Sequence, residues 1–156
     1  MNSIREIVDV IQKRLKTLGD PDKIPAIAKY GITPEQAFGV KAPHLRAIAH
    51  EYRRNRNLAL ALWKINNRET RILATMIDDP KQLTEDPMET WAMEFEYCEI
   101  CDQTFMNLFE KHPLAWQKAI PVAEKIAALD SKSACWIAAD ALRELKSDAV
   151  QKRLKN

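Results

Sequence analysis

Apolar residues recur at helical spacing almost from the start of the chain. Ile4, Ile7, Val8, Ile11, Leu15 and Leu18 fall on one face of an amphipathic helix. Gly19, followed by Asp20 and Pro21, ends it and opens the next element. A short second helix is predicted from about Pro21 to Tyr30, broken by Gly31 ahead of the loop ITPEQAFGVKAP. Pro43 suits a first helical position and starts a helix with Leu45, Ile48, Ala49 and Tyr52 inward. Leu58, Leu62 and Ile65 mark the following helix, and Ile72, Leu73, Met76 and Ile77 the one after.

Asp79 with Pro80 closes that element. Asp86 with Pro87 repeats the cap-and-proline signal ahead of Met88, Trp91, Ala92 and Phe95. Next comes a helix in which Cys98, Cys101, Phe105, Leu108 and Phe109 make one apolar stripe, with Met106 at its edge and Asp102 inside it. A carboxylate at core-facing positions is costly unless it is paired or lines a cleft where an anion has work to do. His112 and Pro113 end this helix. Pro121 cannot sit comfortably inside a helix, so LAWQKAIPVAEKIAAL is read as kinked or split there. Asp130 or Ser131 caps a strong last helix with Ala134, Ile137, Ala138, Ala141, Leu142 and Leu145 buried, and a tail helix from Ser147 to Leu154 packs on it.

Composition agrees with an all-α fold, since Gly is scarce and the helix formers Ala, Leu, Ile, Lys, Arg and Glu dominate. Short helices joined by proline-marked turns favour a right-handed stack of helical hairpins over a four-helix bundle. No exact repeat is visible, although degenerate helical repeats commonly hide in a single sequence. The 156 residues suit one domain, 1–156, with a core that needs neither disulfide nor metal. Three cysteines, no leader and no long apolar run point to a cytoplasmic protein with no membrane partner.

The net charge of +2 hides an asymmetry: residues 41 to 71 hold eight basic and two acidic side chains, and residues 78 to 110 hold ten acidic and one basic. Such blocks are ordinarily solvated helix faces. The basic one is a candidate phosphate footprint, provided the acidic one faces elsewhere.

Three segments carry a resemblance: AFGVKAPHLRAIA (37–49), LWKINNRETRILATMIDDPKQL (62–83) and ETWAMEFEYCEICDQTFMNLFEKHPLAWQKA (89–119). Their phenylalanine-glycine-valine run before a proline and LR, LW followed by an RE pair, and CD dipeptide occur in order. ACWIAADALREL (134–145) adds a late tryptophan and LRE segment. On these marks the chain resembles the DNA alkylation-repair family, typified by AlkD. The resemblance implies an α-α superhelix of HEAT/ARM-like helical repeats that binds duplex DNA on a concave basic surface. It also implies a glycosylase for cationic N3- or N7-alkylated purines, with Asp102 at the catalytic position. An alkylated purine is already cationic and leaves readily, so one carboxylate that stabilises an oxocarbenium-like sugar and orients water suffices. Glycoside hydrolases generally need two. Where the family has a tryptophan four residues before the aspartate, this sequence has Cys98, and the acid after that tryptophan is kept as Glu99. The arginine-bearing helix between the aspartate and the late tryptophan has no counterpart here.

Lys41, Arg46, Arg53, Arg54 and Arg56 are the candidate phosphate contacts, with Trp136 and Arg143 as candidates for packing on a sugar or base and holding a phosphate. Each has a structural alternative. Trp136 fills a helix seam, Asp140 and Arg143 form a three-apart ion pair, and Asp102 caps a helix or pairs with an arginine such as Arg71. Trp63, Trp91 and Trp116 read as core. Cys98 and Cys101 form a CxxC that lacks a second pair for zinc and a preceding strand for thioredoxin-like chemistry, so they read as two core thiols. No metal or cofactor motif is present. The alternative function is a non-catalytic helical-repeat module that binds DNA or a protein.

Overall fold

The computed structural model describes residues 3–112, 115–128 and 132–154, all helix and turn, with no strand among them. The chain divides into two compact units, 1–109 and 110–156, each taken here by itself.

In the first unit, α1 (Ile4–Leu18) begins at Ser3, whose hydroxyl accepts from the Glu6 N–H while the Glu6 carboxylate accepts from Ser3 N–H. A 3₁₀ turn at Pro21–Lys23 leads into the short α2 (Ile24–Ala28). Then follow α3 (Ala42–Tyr52), α4 (Arg56–Trp63), α5 (Arg68–Ile77), α6 (Glu85–Met93) and α7 (Cys98–Asn107). Helix α3 packs on α5 and α5 on α7, while α1 packs on α4 and α4 on α5. Trp63 of α4 stacks on Trp91 of α6 at 4.1 Å with an interplanar angle of 1°. The unit is therefore two layers, α3–α5–α7 against α1–α4–α6. Between them lie Ile11, Leu15, Leu45, Ile48, Leu58, Leu62, Leu73, Ile77 and Ile100, all fully buried.

A repeat invisible in the sequence shows in the polar contacts between successive helices and the loops that join them. Phe38 to Glu69, Asn66 to Glu35, Trp63 to Glu94 and Arg68 to Glu99 each join residues 31 apart, and Asn107 to Thr75 joins residues 32 apart. One helical hairpin thus advances the chain by that interval, as stacked helical repeats require.

The predicted inward faces of α1, α3, α4 and α5 are the observed ones. Four expectations are corrected or narrowed. Helix α6 starts at Glu85 with Thr84 as its N-cap, two residues ahead of the Asp86 cap read from the sequence, and Ala92 is exposed. Helix α7 stops at Asn107 and a 3₁₀ turn, Phe109–Lys111, follows before His112. In the second unit, α8 (Ala115–Ala127) is one helix through Pro121, which leaves the kinked alternative and removes the split one. The fourth is the rotation of α7, treated below.

Helix α9 (Lys132–Leu145) packs on α8, with Lys146 Nζ 2.9 Å from a Glu124 carboxylate oxygen. The tail helix α10 (Asp148–Leu154) packs on α9 as expected, and Gln151 Nε2 donates to the Leu145 carbonyl at 2.8 Å. The predicted cap at Asp130 or Ser131 and the side chains of Trp116, Ala134 and Ile137 lie outside the described residues.

Candidate functional site

The orientation of α7 is fixed by its polar contacts to α5. Arg68 holds Glu99 through Nε and Nη2 at 2.7 and 2.6 Å, and Asn107 Nδ2 donates to Thr75 Oγ1 at 3.0 Å. Ile100, Thr104 and Leu108 then face inward, each fully buried. The Thr104 hydroxyl is satisfied by the Ile100 carbonyl at 2.6 Å, so a polar residue sits in the core without penalty. This rotation corrects the predicted inward stripe in part: Leu108 and Phe109 are buried as expected, whereas Cys98 and Phe105 are not and Cys101 is half-buried. Cys98, Phe105 and Met106 lie on the opposite, open face, with Phe105 54% and Met106 59% exposed. Asp102 is in their midst, exposed rather than buried.

Among the described residues Asp102 has no ion-pair partner. Arg71, the partner considered for it, instead lies 3.5 Å from Glu94 and 3.4 Å from Glu96 and donates to the Glu94 carbonyl at 3.1 Å. The open face thus presents an unpaired carboxylate among apolar groups. Phe105 is braced edge-to-face by the buried Phe109, with ring centroids 5.6 Å apart. Exposed apolar groups gathered on one face mark contact surfaces.

Arg68 also ties α7 to the loop before α3. Its Nη1 is 3.0 Å from Glu69, a fully buried side chain on α5. The Glu69 carboxylate accepts from the backbone N–H groups of Phe38, Gly39 and Val40 at 2.8, 3.0 and 3.2 Å. The phenylalanine-glycine-valine run and the RE pair are thus two halves of one clamp. Burial acts to lower the Arg68 pKa, but Glu99 and Glu69 outweigh it and raise it overall, keeping the guanidinium charged. Gly39 is required where it is, with φ +77°, because an added Cβ would fall 2.1 Å from the Asp20 carbonyl oxygen.

Three of the eight basic residues of the basic block are paired with the acidic one. Arg56 forms a close ion pair with Asp78, Arg68 with Glu99, and Arg71 with Glu94 and Glu96. Burial pushes the Asp78 carboxyl up, and Arg56 opposes this. Of the sequence candidates, Lys41, Arg46, Arg53 and Arg54 are exposed, whereas the Arg56 side chain is only 14% exposed. They do not converge on one point. Arg53 and Arg54, the latter at φ +61°, follow the C-terminus of α3 and with Arg56 line a cavity of about 450 Å³. Lys41 sits at the N-terminus of α3, about 16 Å away along its axis. It lines a separate cavity of about 220 Å³ with Lys23 and Arg68. Lys23 was not singled out in the sequence, because only the close approach of Asp20 to Gly39 brings it there.

In the second unit, Arg143 donates to the exposed Asp140 at 2.8 Å, the predicted ion pair. The Trp136 side chain lies outside the described residues. Trp63 and Trp91 are core, as expected, with Trp63 Nε1 donating to Glu94 at 2.6 Å and Arg71 lying 5.1 Å over the Trp63 ring. Among the described residues no three His, Cys, Asp or Glu side chains gather to hold a metal ion. None of their helices is long and apolar enough to cross a membrane.

Comparison with known proteins gives one family and one fold. The family described as DNA alkylation repair enzyme matches residues 11–152. A solved protein is similar in structure with a TM-score of 0.67 and 23% identity, over 90% of this chain and 59% of that one. It is described as belonging to a new family of proteins related to the HEAT-like repeat DNA glycosylases with affinity for branched DNA structures. This chain therefore spans less than two thirds of that protein's length. The likeness makes the fold one of HEAT-like helical repeats. No curated protein matches the sequence.

Proposed function

The chain belongs to the DNA alkylation repair enzyme family, and on that premise we propose that it binds duplex DNA and excises cationic N3- or N7-alkylated purines, with Asp102 stabilising the oxocarbenium-like sugar. The observation that carries this is the open face of α7, where Asp102 is exposed and unpaired beside Phe105 and Met106. A carboxylate already neutralised by an arginine would have little field left for a developing cation, and Asp102 is not so neutralised. The exposed ring of Phe105, three residues on, supplies apolar surface that the thiol at Cys98 does not. A fixed helix also matters, since electrostatic stabilisation depends on groups already in position, and Arg68–Glu99 and Asn107–Thr75 hold α7.

Release of 7-methylguanine from a methylated duplex tests the proposal. Wild type is expected to release the base and Asp102→Asn to lose at least about a hundredfold in rate, the scale on which removing one electrostatic group acts. Absence of release from both proteins would sink the enzymatic reading.

Cys98, where the family has tryptophan, favours a second reading, and so does the neighbour's described affinity for branched DNA. In it the chain binds DNA, branched DNA included, without excision. Both readings place phosphates on Lys41, Arg46, Arg53 and Arg54, and neither needs Arg56. Neutralising any of the four is expected to weaken duplex binding across sequences and to reduce the slope of log affinity against log salt by roughly 1. Titrations of each glutamine variant at several salt concentrations check this. Unchanged slopes in all four would move the interface elsewhere. A protein partner becomes the better reading if no duplex binds at low salt.

A further inference from the structure

The CxxC of α7 is absorbed by neither reading, and its surroundings differ from those of two core thiols. Cys98 is the first residue of α7 and is exposed, and Cys101 lies one turn on, half-buried. Both are free thiols. This is a graded pair, one thiol open to solvent and the other partly covered. We propose that Cys98 and Cys101 form a reversible dithiol–disulfide pair, oxidised by a low-molecular-weight disulfide such as glutathione disulfide.

Two features of the turn permit it. Residues three apart on a helix have Cβ atoms ~5–6 Å apart, whereas a disulfide needs ~3.8 Å, so the first turn must tighten. The first turn of a helix can do so, because its N–H groups lack intrahelical partners. Here the Tyr97 N-cap makes no side-chain bond that would hold it open. The Cys101 thiol is also pushed up by burial, then by Asp102 and by Cys98, which keeps it protonated and protected until a mixed disulfide forms beside it.

The exchange balances as follows. The Cys98 thiolate attacks one sulfur of glutathione disulfide, forming the Cys98–glutathione bond and expelling one glutathione thiolate. Cys101 loses its proton and attacks the Cys98 sulfur, forming the intramolecular S–S bond and expelling the second glutathione thiolate. Two cysteine thiols are oxidised, one glutathione disulfide is reduced to two thiols, and the cysteine protons end on the two glutathiones. The bond closes across the turn directly before Asp102, yet the exchange does not depend on the catalytic role proposed for that aspartate.

The test uses the full-length chain carrying Cys135→Ser, which leaves these two thiols alone. Incubated folded with excess glutathione disulfide, it is expected to lose both titratable thiols and two hydrogens in mass, without dimerising, and to recover them with dithiothreitol. Adding Cys101→Ser should trap a glutathionyl adduct on Cys98. Adding Cys98→Ser should leave Cys101 slow to react. A stable adduct on the two-thiol protein with Cys101 still free, a disulfide-linked dimer, or no reaction would each overturn the proposal. Helical circular dichroism of every variant establishes that the reacting protein is folded. A variant that fails to fold is replaced by Cys→Ala at the same position, and the two-thiol protein alone already decides ring closure.

Discussion

Replacing Glu69 with alanine is expected to destabilise the protein by about 3–5 kcal/mol, the range for breaking a buried ion pair, and to lower Tm by roughly 10 °C for a chain of this size. The loss has two parts. The backbone N–H groups of Phe38, Gly39 and Val40 lose their acceptor, and Arg68 loses one of its two carboxylates. Buried unsatisfied donors cost about 1–3 kcal/mol each when nothing replaces the acceptor; relaxation of the loop and entry of water keep the total below their sum. Glu69→Gln retains a carbonyl oxygen and should lose less. Urea unfolding of the three proteins checks the order, and a loss near that of an exposed pair, below about 1 kcal/mol, would show that the clamp is not structural.

Arg56→Ala is expected to cost about 3 kcal/mol at neutral pH, since it leaves Asp78 buried and uncompensated. The pH dependence distinguishes this from simple lost packing. The Asp78 carboxyl is held above its ordinary 3.8 by burial, with Arg56 pulling it back. A carboxyl whose folded pKa is raised binds its proton more tightly in the native state. Stability from this group is therefore greatest at acid pH and falls as pH rises from 3.8 through the folded value. Removing Arg56 lifts the folded value further, so the variant should lose more than wild type over that rise. The stability gap should then narrow below pH 3.8, where Asp78 is protonated in both states. Denaturant titrations at acid and neutral pH measure the gap, and a gap independent of pH would overturn the account.

Much of the fold was legible because apolar spacing dictates burial. Leu45, Ile48, Leu58, Leu62, Leu73 and Ile77 are inward for that reason alone. Helix α7 was misread for a physical reason. Counting apolar residues favours the face of Cys98, Cys101 and Phe105, but the ion pair to Glu99, the Asn107–Thr75 bond and the self-satisfied Thr104 turn the other face inward. Polar contacts between helices have no periodic signature, so apolar spacing gave Asp102 its neighbours Cys98, Phe105 and Met106 correctly but put that face inward instead of open. The charge blocks were legible as blocks, and the pairing of Arg56, Arg68 and Arg71 across them was not, since it depends on which helices become neighbours. The two motifs that form the clamp were legible in order, although their joining at Glu69 was not.

The regular interval between cross-helix contacts bears on how quickly the first unit forms. Arg68–Glu99, Trp63–Glu94 and Phe38–Glu69 each close a loop of the same length, 31 residues. Loop-closure entropy grows only slowly with length, by about 0.6 kcal/mol per doubling, so these closures cost nearly the same. No single long-range pairing must come first. Assembly can begin at any neighbouring pair of hairpins and spread to the next, which places the unit among chains of local topology, where folding is fast.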